Sequence, residues 1–346
     1  MVPESLKAKI IIQHEAGGAD APPENNIESN AALQELLGIN NNGVVANLQS
    51  GGGGPIILQL GGRDPQSLAL ASEIGVRMGY DGINLNCGCP SNAVSGRSGG
   101  CALMKDPSHV ANCVERMSES IGTIAGRTND SREVQLSVKH RLGVRDASTY
   151  DAERDKRQSD DEAYSECESF VRTITENSNV SKLQVHARLG LLGDFTPERS
   201  TETTLWTPDA VSSKGGDGGG GDGGGEEKVK TVKIDHKREQ YKAKKLARKA
   251  TMFNRSVPPL RSNVVNQLAE TFPRLEFVAN GGIKSMEGMR RGIDGTDVVG
   301  AMVGRSVINH PCSFSHADGL WGEALPQWTR EDVIMTHMDY CIKEEE

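Results

Sequence analysis

The sequence predicts an α/β fold of the (β/α)8 barrel class, and two observations carry the prediction. First, six short apolar runs alternate with amphipathic helical stretches, which is how a parallel β/α sheet is written in sequence. Second, nearly every run delivers a polar side chain at its carboxyl end: Gln59, Asn84 and Asn86, Lys139, His186 and Asn280. A barrel assembles its site at that end from many strands. An open doubly wound sheet concentrates it at one switch point, so the spread of polar ends favours the barrel.

The predicted strands are "PIILQL" (55–60), "GINLNC" (82–87), "VQLSVKH" (134–140), "KLQVHA" (182–187), "LEFVAN" (275–280) and "VVGAMVG" (298–304). The helical stretches between them are "DPQSLALASEIGVRMG", "DPSHVANCVERMSESI", "DEAYSECESFVRTITEN", "SNVVNQLAETFP" and "SMEGMRRGI". Several open on Asp or Ser, whose side-chain oxygen accepts from the unpaired amides of a first helical turn. A barrel of this class needs two more strands before "PIILQL", and "MVPESLKAKIIIQ" supplies at best a fragment of one. The expectation is therefore a barrel lacking its first strand or strands.

Two low-complexity zones interrupt the pattern. Residues 14–55 are rich in Gly, Asn and Pro, with a helical island at "NAALQELLG". "KGGDGGGGDGGGEE" (214–227) precedes a charged run from Lys228 to Lys249. Tracts of this kind bury too little apolar surface to offset chain entropy, so both zones are expected as loops or disorder. The domain reading is a partial amino-terminal segment (1–54) and a barrel (55–312) with an insert at about 200–253. Residues 313–346 form a helical carboxyl-terminal segment.

With 39 Lys+Arg against 47 Asp+Glu, the chain is not a basic nucleic-acid binder by composition alone. No apolar run reaches the ~20 residues that cross a bilayer, and the first residues lack a secretory signal. Seven cysteines, odd in number and scattered, do not read as a disulfide framework. The expected compartment is reducing and cytoplasmic, with an organelle address only if one lies upstream of Met1.

Four segments carry chemistry. Gly281-Gly282 and Gly304-Arg305 close the last two strands, where barrels hold phosphate and where glycine lets backbone amides approach an anion. Two ligand-free tight turns would read the same. Lys139 ends a strand and points into the barrel mouth, where a buried ammonium calls for an anionic partner such as a phosphate or an electron-rich ring. His186, read alone, also fits a hydrogen-bonded structural histidine. Cys87 and Cys89 lack the second Cys or His cluster of a zinc site, so no metal is expected. Cys87 sits inside a strand as a small hydrophobe. Cys89, between Gly88 and Pro90 in the following loop, faces the mouth as a candidate nucleophile or general acid.

"LQLGG", "GYDGINLNCGCPSNAVSGRSGGCALM", "SVKHRLGV", "VHAR", "VPPL", "VANGGIKS" and "MVGRSVINHP" together resemble the tRNA-dihydrouridine synthases, nearest their bacterial A-type branch and its plant and algal relatives. The resemblance covers roughly residues 55–195 and 254–312, and it implies an FMN-bearing barrel followed by a helical domain that grips tRNA. It implies NADPH as reductant and hydride transfer to C6 of a flipped D-loop uridine, with a cysteine donating the proton to C5. On this sequence, Cys89 matches the proton donor, and Gln59, Lys139 and His186 match the flavin contacts. Asn280, Gly281, Gly282, Gly304 and Arg305 match the phosphate cradle, and Asn86 and Arg188 match positions near the substrate. A thiol with a reference pKa of ~8.5 is mostly protonated at neutral pH, as a donor must be. The resemblance further implies a monomer with no metal and no membrane attachment. It departs at both ends: the family's first strand with its Ala-Pro-Met turn has no counterpart here, and "TREDVIMTHMDYCIKEEE" matches only the first helix of the carboxyl-terminal domain. Two alternatives stand beside it: another FMN barrel of the dihydroorotate-dehydrogenase kind, and a catalytically impaired RNA-binding remnant using the run from Lys228 to Lys249.

Overall fold

A computed structural model describes residues 54–91, 99–127, 133–193, 252–321 and 329–345. Both low-complexity zones, the amino-terminal fragment and the run from Lys228 to Lys249 lie outside them. The six predicted strands are present as β1 (Ile57–Leu60), β2 (Gly82–Cys87), β3 (Gln135–Arg141), β5 (Lys182–His186), β7 (Glu276–Asn280) and β8 (Gly300–Met302). Between and after them run α1 (Pro65–Arg77), α2 (Pro107–Arg127), α4 (Asp160–Glu176), α5 (Ser262–Thr271), α6 (Met286–Arg291) and, towards the end, α8 (Arg330–Glu345).

The strands form one wholly parallel sheet in the order β1-β2-β3-β5-β7-β8. Sheet order follows chain order without reversal, so there is no switch point and the doubly wound alternative is excluded. Crossovers of one hand then lay every helix on the same face. Helices α1, α2, α4 and α5 accordingly touch one another in sequence along that face. This is the winding of a β/α barrel, of which the described strands form a six-stranded arc.

Alternation along each strand sorts side chains between the two faces. Leu58, Leu60, Ile83, Leu85, Cys87, Val138, Leu183, Val185 and Phe277 point to the helices and form the core with Ile74, Met117, Phe170 and Leu268. Helix α1 lies close enough that a Cβ on its Gly75 would come within 2.7 Å of Ile83 Cδ1 and 2.8 Å of Leu58 Cδ2. Local signals set the helix starts: Asp64 accepts from the Ser67 amide at 2.8 Å ahead of α1, with Pro65 leading. At α4, Ser159 and Glu162 form a reciprocal capping box, both bonds 3.2 Å.

Some elements escaped the sequence pattern. A short parallel pair, β4 (Val144–Asp146) and β6 (Gly190–Leu192), extends the rim above β3 and β5. The side chain of Asn254, buried and in a helical turn at 252–256, accepts from the Leu191 amide at 2.7 Å and donates to its carbonyl at 2.9 Å, pairing β6 as a third strand would. Two short helices, α3 (Ala152–Arg157) and α7 (Arg305–Asn309), complete the described secondary structure apart from 3-10 turns. These segments are too short to display a period of their own.

His140, on the helix-facing side of β3, is fully buried against the Phe170 ring, with Nδ1 2.7 Å from the Arg141 carbonyl. Burial, opposed by that hydrogen bond, lowers its pKa from 6.5 to about 4. The unfolded chain therefore binds a proton that the folded chain refuses. Its contribution to stability is complete above pH 6.5 and is lost as pH falls from there through about 4, at most about 3 kcal/mol. Thermal melting at pH 7.5 and pH 5.0 checks this: the parent should lose more Tm on acidification than His140→Gln, and equal losses would remove His140 as the cause.

Candidate active site

Parallel strands bring every carboxyl end to one face, and the polar residues meet there. Strand β2 delivers Asn86, whose Oδ1 accepts from the amides of Gly88 and Cys89, each at 3.0 Å. This Asx-type turn folds the loop back over the strand end. The Cys101 amide donates to the Cys89 carbonyl at 2.9 Å and fixes the far side of the loop. Cys89 is thereby held half-buried at the mouth. Cys87, two residues earlier, faces the helices with no exposed surface, and burial pushes its thiol well above the ordinary range. The two cysteines occupy different environments, one accessible from the mouth and one sealed.

Basic groups crowd the same face. Burial, with help from neighbouring Arg141, lowers Lys139 from 10.5 to about 8. Burial likewise lowers Arg141 from 12.5 to about 10. His186 is driven far below its usual range by burial and by Arg141, Lys139, Arg188 and Arg255, so its ring is neutral at neutral pH. Among the described residues no carboxylate forms an ion pair with Lys139, Arg141, Arg188, Arg255 or Arg305. Arg141 and Arg188 spend donors on backbone carbonyls, while half-buried Lys139 and exposed Arg255 and Arg305 leave positive charge on this face that an anionic ligand would complement.

The loops after the last two strands are tied together. Asn280 Nδ2 donates to the Met302 carbonyl at 2.8 Å, and Ser306 Oγ donates to the Ile283 carbonyl at 3.1 Å. Gly281 takes φ +119°, and a Cβ there would lie 2.9 Å from Leu260 Cδ1 and 3.0 Å from His186 Cδ2. Only glycine lets His186 and the 257–260 loop close on that backbone. Arg188 secures the same loop by donating from Nη1 to the Pro258 carbonyl. Exposed Arg305 follows Gly304, around whose Cβ position there is open space to 4 Å.

A sequence profile of the dihydrouridine synthase (Dus) family matches residues 38–207 and 236–346. The chain belongs to the dihydrouridine synthase family. Among its relatives, the tRNA-dihydrouridine(20/20a) synthase of Pseudomonas aeruginosa is 28% identical over 287 residues, 83% of this chain and 62% of that protein. The proteins of the same name from Synechocystis and Xylella fastidiosa are each 30% identical, over 76% and 82% of this chain and 54% and 66% of their own lengths. The chain thus spans between half and two thirds of the length of these relatives.

Inside this dihydrouridine synthase barrel, one layer below the mouth, lies a belt of neutral polar groups. Asn84 is 4% exposed and satisfies its amide across three strands. Its Oδ1 accepts from Gln59 Nε2 at 2.8 Å, while Nδ2 donates to Ser137 Oγ at 2.9 Å and Gln184 Oε1 at 2.7 Å. Ser137, Gln184 and Arg141 were not singled out in the sequence, although alternation from Lys139 and His186 puts all three on the inward face. Gln59 enters this belt directly. At the opposite end of the interior, Lys182 pairs with Glu276 at 3.2 Å.

A separate cleft of about 560 Å³ opens beside α3, and several of its polar groups have structural work. Asp151 caps α3, Tyr150 donates to Asp155, and Arg145 pairs with Glu166 at 2.6 Å. Among the described residues no group of His, Cys, Asp and Glu is placed to hold a metal, and no helix is long and apolar enough to cross a membrane.

Asn84→Ala removes three hydrogen bonds at once and strands Gln184 and Gln59. The expected cost is about 1–3 kcal/mol, read as a lower urea midpoint at unchanged m-value. A midpoint indistinguishable from the parent's would mean the belt does not support the sheet.

Proposed function

We propose that the protein reduces a uridine in the D-loop of tRNA to 5,6-dihydrouridine, with FMN as cofactor, NADPH as reductant and Cys89 as proton donor. The observation that carries this reading is the placement of Cys89: a half-buried thiol, its loop held on both sides, at the end of the sheet where β5 finishes on His186 and β3 carries Lys139 two residues before its last. The relatives' name specifies positions 20 and 20a of tRNA, and those positions are proposed for this chain too.

The residues fit FMN. An anionic, partly apolar ring and a phosphate suit a mouth with unpaired Lys139 and Arg305 and two tied glycine loops. A Cβ on Gly281 would fill the space at one of them. Gln59 and Lys139 would hold the ring, Asn280, Gly281, Gly282, Gly304 and Arg305 the phosphate. When bound and reduced by NADPH, the flavin supplies hydride to C6 of the uracil.

The chain's own residues do the rest. Hydride arriving at C6 leaves negative charge on C5 and the C4 carbonyl, so a proton must reach C5. Cys89 gives that proton, the C5–H bond forming as the S–H bond breaks. Neutral His186 is a poor acid in a field set by four cations, and Cys89 is the half-buried thiol at this face. Lys139 stabilises negative charge developing beside it. Asn86 has its carbonyl oxygen committed to the Cys89 loop, so its amide group is the part that can meet the base. Arg188 stands at the rim, where guanidinium groups suit RNA phosphate. A base flipped out of the tRNA stack can reach a donor set at the bottom of this mouth. The reading places the protein in the cytoplasm or an organelle with its tRNA, as a monomer.

Two experiments test this. Cys89→Ser should purify with flavin and lose dihydrouridine formation by ~10²–10⁴-fold, whereas Cys87→Ser should remain active; the reverse pattern would overturn the assignment. Arg305→Ala and Lys139→Met should each weaken FMN retention, measured by flavin absorbance per protein. If both variants hold as much flavin as the parent, the cofactor site lies elsewhere.

A further inference from the structure

Arg141 makes two side-chain hydrogen bonds to loop carbonyls at the mouth. It ends β3 two residues beyond Lys139, so alternation turns it inward with Lys139. It is 5% exposed. Nε donates to the Gly88 carbonyl at 2.8 Å, and Nη1 donates to the Leu189 carbonyl at 2.9 Å. One rigid fork therefore ties the residue immediately before Cys89 to the residue immediately before β6. The space around it is filled: a Cβ on Gly190 would come within 3.0 Å of Cys101 Sγ and 3.1 Å of Arg141 Cδ.

The contacts differ in kind from a generic core bond. Burying a guanidinium is costly, and a structural bridge between two carbonyls could be made by a neutral amide. Arginine supplies a planar fork whose two donors are fixed relative to each other, so both loops are set by a single group. Asn86 and Cys101 also hold the Cys89 loop, and the Gly88 backbone packs against Lys139 and His140 of β3, where a Cβ would lie 3.4 Å from the Lys139 carbonyl oxygen. Arg141 adds a side-chain tie from β3, the strand that carries Lys139, to this loop.

We infer that Arg141 is the positioning residue for Cys89: its guanidinium fork holds the Gly88–Cys89 loop against β3 and β6 so that the thiol stands at a fixed place relative to Lys139 and the base. The inference rests on the reading of Cys89 as proton donor. The ionisable groups that act on the Cys89 site are Lys139 and Arg141 from β3, and Cys101 accompanies it around Arg141. No carboxylate among the described residues competes for the fork.

The test uses the full chain loaded with FMN and compares Arg141→Lys, Arg141→Gln, Cys89→Ser and the Arg141→Gln/Cys89→Ser double variant. Flavin reduction by NADPH, followed by absorbance without tRNA, needs no proton from Cys89 and should stay within twofold of the parent in the Arg141→Lys variant. Single-turnover dihydrouridine formation from the pre-reduced protein at saturating tRNA should fall at least tenfold in both Arg141 variants, because lysine keeps the charge but not the fork. In the Cys89→Ser background, Arg141→Gln should cause no further loss, since the group being positioned is already gone.

A readout independent of turnover is alkylation by iodoacetamide, followed residue by residue by mass spectrometry. Exposed Cys312 and Cys341 are internal standards. Relative to them, Cys89 should react several-fold faster in Arg141→Lys than in the parent as its loop loosens. Full turnover in Arg141→Lys, unchanged Cys89 alkylation, or an additive loss in the double variant would each overturn the inference. Should Arg141→Gln fail to fold, the Arg141→Lys comparison alone decides. Failure of the underlying reading is distinguishable: Cys89→Ser would then retain turnover, while the alkylation ratio would still report whether Arg141 holds the loop.

Discussion

A buried amide sets the terms for this sheet. Asn84 has almost no exposed surface, so its oxygen and nitrogen must find partners inside the protein, and it finds them on β1, β3 and β5 at once. A slip of one residue in any of these strands would exchange its inner and outer faces and leave the amide unpaired. The hydrophobic face alone demands alternation, and many registers meet that demand. The polar belt selects among them, because only the observed register pairs Gln59 with Asn84 and Asn84 with Ser137. Everything above the belt inherits that choice: Asn86 opposite Lys139, Lys139 opposite Gln184, and Arg141 opposite His186 and, through it, Asn280.

The mouth built on that register separates two kinds of contribution. Neutral groups do the holding: Asn86 folds the Cys89 loop, Asn280 and Ser306 join the last two loops, and Asn254 completes the β6 rim. Lys139, Arg255 and Arg305 have no carboxylate to neutralise them among the described residues. Arg141 and Arg188 spend hydrogen bonds on backbone carbonyls. The arrangement leaves a net positive charge on this face, which an anion of any kind would offset.

Much of this was legible in the sequence. All six sheet strands announced themselves by short apolar-rich segments, and the parallel sheet brings their polar ends to one side. Strand β8 is shorter than "VVGAMVG" suggested: Gly300–Met302 pair in register with β7, and the Val299 amide adds one hydrogen bond to the Phe277 carbonyl at 2.9 Å. The β4 and β6 segments, "VRD" and "GLL", carry no period, and their pairing is a product of tertiary placement. At the site, Cys89, Lys139, His186 and the glycine loops stood out because their residue types are chemically loaded. Ser137 and Gln184 did not, being ordinary polar residues until the register places them beside Asn84. Arg141 was hidden by its neighbour: in "VKHR" the lysine drew attention, and only the period of two shows that the arginine shares its face.

The spacing of strand partners along the chain bears on how the sheet tolerates so large an interruption between β6 and α5. His186 pairs with Asn280, 94 residues onward, whereas Ser137 pairs with Lys182, 45 residues onward, in the preceding crossover. Even if the whole longer crossover counted as free chain, one doubling of loop length adds only about 0.6 kcal/mol of closure entropy. That is less than the contribution of a single well-made hydrogen bond in the belt. A barrel wound in chain order can therefore admit a long extra passage at one crossover and assemble much as it would without it, since each strand still adds to the edge left by the one before. The same arithmetic makes that crossover a seam at which chain length can drift over evolutionary time with little thermodynamic consequence for the polar end of the sheet.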